Sequence, residues 1–182
     1  MRYCKNKKGY LPIKSKEIKD KERVYIHYNS DKYDKERLRR AVNDPEKHYL
    51  EDSLQYKPHG LWASPEKCDL SWKEWCEDDD FYIERLEKSF KFKLSPKARI
   101  LRINRLKDAY KHIVVEVRHF IFDPDLSYTY QKLDIAQIYH YYDGMEVIMS
   151  NDYINLHHNR IFYWWDVDSL CVWNPDVIIP VK

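Results

Sequence analysis

The sequence predicts an α+β domain with a mixed, largely antiparallel sheet core and flanking helices. Three observations predict it. Short runs rich in β-branched and aromatic residues alternate with segments of helical period, in the order β, α, β, α, β, β, α, α and then several β. The length of 182 residues fits one domain. Hydrophobic residues at 43% and charged residues at 34% describe a globular chain with enough apolar surface for a core. No internal repeat, low-complexity tract or Gly/Ser linker breaks the pattern, so residues 1–22 read as a basic N-terminal arm and 23–182 as a single domain.

The elements follow in order. Arg23 to Tyr28 is a β-rich run that ends in a turn at Asn29, Ser30 and Asp31. Asp34 opens a helix over Lys35 to Val42, closed by Asn43, Asp44 and Pro45. Residues 57–64 read as a turn leading into a short strand. Ser71, with Glu74 three residues on, predicts an N-capped acidic helix to Glu77, with Trp72 and Trp75 packing on one face. Ser89–Leu94 and Ala98–Ile103 are strand candidates. Leu106, Tyr110, Ile113, Val114 and Val117 recur at helical period behind Asn104, and residues 125–139 repeat that pattern less cleanly. Strands are expected again at Met145–Met149, Ile161–Asp166, Leu170–Trp173 and Val177–Ile179.

Composition removes several function classes. With only Gly9, Gly60 and Gly144, the chain cannot form a Walker loop or a G-x-G-x-x-G turn, both of which need clustered glycines. The four cysteines contain no C-x-x-C and the eight histidines no H-x-x-x-H, so reduced thiols, a cytoplasmic setting and no metal site are expected. No stretch approaches 18 apolar residues, so no membrane partner is expected. The net charge of +2 hides an asymmetry, with 29 basic against 21 acidic side chains in residues 1–118 and 3 against 9 in residues 119–182. The first 23 residues hold nine basic and three acidic side chains, a composition suited to phosphates and also to a plain solvated tail.

Three segments place polar residues at a strand end beside a turn: Ile26 to Ser30, His59 to Ser64, and Tyr142 to Val147. Two of the three glycines fall in the second and third, which suggests positive φ or the close approach of a ligand. A turn explains each segment equally well.

Taken together, the trio resembles the ADP-ribosyltransferase superfamily, in its branch with a His, an aromatic and a Glu on separate strands. The motifs around Gly60, Trp72, Glu146 and Trp173 also resemble small proteins of phages and mobile elements. The family resemblance implies a split-sheet fold and NAD as substrate, with no metal and with a protein or nucleic-acid acceptor. It assigns NAD-binding roles to His27, Ser30, Gly60, Trp62 and Ser64, and makes Glu146 catalytic. In that chemistry a carboxylate at the 2′-hydroxyl stabilises an oxocarbenium-like state, and an aromatic face packs on nicotinamide. Arg37, Arg39, Arg40 or Lys57 would meet the pyrophosphate. The chain departs from the family at Tyr28 and Asn29, where Gly is usual after the His, and at Trp62, where Tyr is usual. Two other readings stand beside it: a catalytically inactive binding module of the same fold, using its cleft and basic arm, and a metal-independent nuclease with His27 and Glu146 as acid and base.

Overall fold

A computed structural model describes residues 23–43, 57–120 and 123–181. The basic segment 1–22 lies outside the described residues, as does the end of the turn expected after Asn43. Seven strands form the main sheet: β1 (Val24–Tyr28), β2 (Leu61–Pro65), β3 (Ser89–Leu94), β4 (Ile100–Ile103), β7 (Gly144–Val147), β8 (Ser169–Val172) and β9 (Ile178–Val181). Their order is β4-β7-β8-β2-β1-β3-β9. Only β4 and β7 run parallel, so the sheet is mixed and mostly antiparallel. A separate hairpin pairs β5 (Ile113–Phe120) with β6 (Asp123–Leu133).

Alternation along the strands divides the apolar residues between two cores, because successive side chains point to opposite faces. On one face Tyr25, Ala63, Phe92, Leu170, Val172 and Ile178 pack beneath Leu38 of α1 (Lys35–Val42). On the other, Leu101, Ile103, Met145, Val147 and Cys171 pack against Ile138, Leu156, Phe162 and Trp165. Ile138 lies in α4 (Ile135–Tyr141) and Leu156 in α5 (Tyr153–His157). Local capping accounts for α1, whose first turn is closed by Arg37 N–H donating to the Asp34 carboxylate at 2.8 Å. Ser71 does the same for α2 (Trp72–Asp79), accepting from Glu74 N–H at 3.1 Å.

Three expectations change. The helical period from Leu106 to Val117 yields only a one-turn helix, α3 (Leu106–Ala109), and a 3-10 turn before the chain becomes β5. The segment 125–139 is β6 followed by α4. β-branched Ile113, Val114, Val115 and Val117 fit a cross-strand partner better than a helix, and β6 supplies one. Ile161–Asp166 is a series of turns that buries Ile161, Phe162 and Trp165. Among the described residues no helix is long and apolar enough to cross a membrane.

Gly60 and Gly144, the glycines among the described residues, do not take positive φ. A Cβ on Gly144 would lie 2.8 Å from the Cys171 carbonyl oxygen, and one on Gly60 would lie 2.5 Å from that of Val172. What approaches these glycines is the backbone of β8. Positive φ falls instead on Asn29, Asp80 and Tyr82.

Candidate functional site

Glu146 sits at the centre of β7 between Met145 and Val147, both buried in the opposite core. Its carboxylate therefore points to the α1 face, where it is wholly buried. Arg23 Nη1 donates to Oε1 at 2.7 Å, Tyr25 Oη donates to the same oxygen at 2.9 Å, and Arg102 Nε donates to Oε2 at 2.8 Å. Arg102 is the parallel neighbour of Glu146 in β4, whereas Arg23 and Tyr25 reach it across β2 and β8. Burial, the largest single cause, would lower the Arg23 pKa, but the Glu146 charge, Tyr25 and the hydrogen bonds to both together outweigh it and hold the guanidinium above its ordinary value. Burial and the same carboxylate push the Tyr25 hydroxyl up, so it stays a donor. The group is an Arg-Glu-Arg ion cluster closed by a phenol.

His27 shares the face of Tyr25, packing on Phe90 at 5.1 Å between ring centroids. Two strands separate β1 from β7, which puts its Cα roughly 14 Å from that of Glu146. The β1-β2 ladder ends at Ile26 opposite Ser64, and beyond it His27 Nδ1 lies 2.6 Å from the Trp62 carbonyl oxygen, which accepts from the ring. Burial lowers the His27 pKa; the Trp62 carbonyl opposes this and the Arg37 charge adds to it. Trp62 pairs with Cys171, which pairs with Met145, so its indole lies on the other face from Glu146. There it packs on Trp165 at 5.0 Å and carries Lys57 Nζ 5.4 Å from its ring centroid. Ser64 is buried and accepts from Trp72 N–H at 3.2 Å, anchoring the start of α2. Ser30 donates to the Lys32 carbonyl at 2.8 Å within its own turn.

The three motif strands thus share one sheet, and His27 and Glu146 share one face of it. Trp62, Ser64 and Gly60 belong elsewhere in the packing. A cavity of ≈ 320 Å³ opens between α1 and the end of β8, lined by Arg39, Arg99, Tyr139, Asp143 and Trp173 among others. Its charges balance: Arg39 pairs with Glu36 and Asp176, and Arg99 with Asp143. Burial raises the Asp143 pKa, but hydrogen bonds from Asn174 and Arg99 outweigh it and hold the carboxylate below its ordinary value. His27, Trp62 and Glu146 do not line it.

A second feature is basic, and one of its members, Arg37, acts on His27. Arg37 and Arg40 of α1 and Lys32 before it are exposed and have no ion-pair partner among the described residues. Arg37 was visible in the sequence as a phosphate-binding candidate, but only packing of α1 over Tyr25 and Phe92 puts it near His27. The Arg23, Tyr25 and Arg102 partners of Glu146 had no signal in the sequence, because their meeting depends on sheet order. No group of His, Cys, Asp and Glu among the described residues could hold a metal ion. Comparison with family models, curated proteins and solved structures found no match.

Proposed function

We propose that the chain is a binding module for a phosphate-bearing polymer, a nucleic acid, held on the basic face of α1. The observation that carries this reading is the exposed set of Lys32, Arg37 and Arg40, cations without ion-pair partners among the described residues, of which Arg37 acts on His27. The nine basic side chains among the first 23 residues extend the same sign of charge. Phosphate contacts release condensed counterions, so binding should weaken steeply with salt. The test is fluorescence anisotropy of a labelled single-stranded oligonucleotide across a salt series. Arg37→Glu with Arg40→Glu should weaken binding and flatten the logarithmic salt slope by about 2, roughly one per lost phosphate contact. Equal affinity and slope in the double variant would remove α1 as the reader.

A second reading keeps the ADP-ribosyltransferase resemblance and its NAD substrate. It is favoured by the common sheet of β1, β2 and β7 and by the shared face of His27 and Glu146. It requires Arg23 or Arg102 to surrender a carboxylate oxygen to the ribose hydroxyl, after which a freed guanidinium could take the pyrophosphate. Incubation with NAD and measurement of released nicotinamide separates the readings. Release by the parent that is abolished in a Glu146→Gln variant shown to be folded supports NAD cleavage at this carboxylate, and no release from the parent leaves binding.

A further inference from the structure

The sequence from Ser71 to Glu87 carries seven acidic and two basic side chains, a net of −5 in a chain of net +2. It forms α2, a sharp turn and a 3-10 turn (Ile83–Leu86), and it lies on the sheet face opposite α1, tied there by Trp72 N–H to Ser64. Four rings gather on its surface. Trp72 stacks on Trp75 at 5.1 Å, and Phe81 meets both edge-on at 6.1 and 5.0 Å. Tyr82 adjoins Phe81 at 4.1 Å. Phe81, Tyr82 and Ile83 are each 38–43% exposed, a contiguous apolar run where a soluble surface would spend polar residues.

The backbone is held in an uncommon form to present these rings. Asp80 and Tyr82, on either side of Phe81, have φ of 51° and 50°. Left-handed backbone is unfavourable for an L residue, and the bulky Tyr82 is an outlier there. The third positive φ, at Asn29, belongs to the same region, since Asn29 N–H donates to the Arg85 and Lys88 carbonyls. Such strain persists where surrounding contacts impose it, and it concentrates at sites that bind.

We propose that this aromatic face docks an arginine- and lysine-rich peptide segment. Two observations choose the occupant. Glu74, Asp78 and Glu84 are exposed carboxylates of the same segment, whose net charge is −5, so a cationic partner gains where an anionic one is repelled. The ring faces already show the required chemistry in one place, where the Arg85 guanidinium lies 3.8 Å from the Tyr82 ring centroid. Guanidinium groups of a partner would stack on Trp75 and Phe81 while the carboxylates meet their remaining donors.

The experiment titrates the full chain with fluorescein-labelled octa-arginine, octa-lysine and octa-glutamate. Octa-arginine should bind best, octa-lysine more weakly and octa-glutamate not at all, with affinity falling as salt rises. Phe81→Ala should weaken octa-arginine about tenfold, within the range of a partly desolvated cation–π contact. Trp75→Ala removes the other ring of the proposed contact, so it reads the same loss should Phe81→Ala fail to fold. Undiminished octa-arginine binding in the folded ring variant would overturn the proposal, because charge alone would then explain attraction. Absent binding of octa-arginine would overturn it as well.

Discussion

Glu146 has no contact with water and shares its two oxygens among three donors, so its charge is spent within the fold. Removing the carboxylate of such a cluster leaves the charge of two partly buried guanidinium groups without its central counter-charge, which is costlier than the pair itself is favourable. Glu146→Gln should therefore lower stability by about 3–5 kcal/mol, read as a drop in the urea midpoint at unchanged slope. Replacing Glu146 with Leu while Arg23 and Arg102 become Met should recover most of that loss, since well-packed apolar groups commonly replace buried ion clusters at little cost. A glutamine variant as stable as the parent would show that the carboxylate is not what holds these strands together.

At the level of the element, the end of α2 stores strain that one residue can relieve. Asp80 caps the helix in the left-handed region, and both its own N–H and that of Phe81 donate to the Cys76 carbonyl. Glycine adopts that backbone without steric penalty and is the commonest residue there. Asp80→Gly should raise stability by roughly 0.5–1 kcal/mol, the difference between relieved strain and the greater freedom of glycine in the unfolded chain. Thermal unfolding checks this, and a lower melting temperature would mean that the Asp80 side chain stabilises the turn in a way its backbone does not reveal. Elements with such local signals were legible in the sequence: α1 spans the expected Lys35–Val42, and β3 the expected Ser89–Leu94. The stretch from Leu106 to Leu133 was not, because an apolar spacing of three and four residues also occurs in a β-branched strand. Only pairing across the hairpin decides between them.

For the molecule as a whole, pH reaches global stability through Asp168. This carboxyl is buried beside Asp69 and Glu146 and is pushed up to about 6, with burial the main cause and hydrogen bonds from Ser150 opposing it. The unfolded group titrates near 3.8. Between these values the folded state binds more protons, so this group's contribution makes stability fall as pH rises from about 4 to about 6. Above that window the cost is constant at about 3 kcal/mol at most. Asp168→Asn keeps an acceptor for the Ser150 N–H and has no charge to bury. The difference in unfolding free energy between variant and parent should therefore grow across pH 4 to 6 and level off above it. A difference flat with pH would mean that Asp168 is solvated in the folded protein.

The sequence by itself determined the α+β class, the capped helices, the main strands around the three motifs and the charge asymmetry. Each of these is written in neighbouring residues, through caps, alternation and composition. Tertiary structure alone decided that Gly60 and Gly144 make room for β8, that Trp62 turns away from Glu146, and that Arg23, Tyr25 and Arg102 surround the carboxylate. Those outcomes depend on strand order and on the parity of register, where a shift of one residue moves every side chain to the other face. Residues more than a hundred positions apart carry no local mark of sharing a face; the order β7-β8-β2-β1 puts them there.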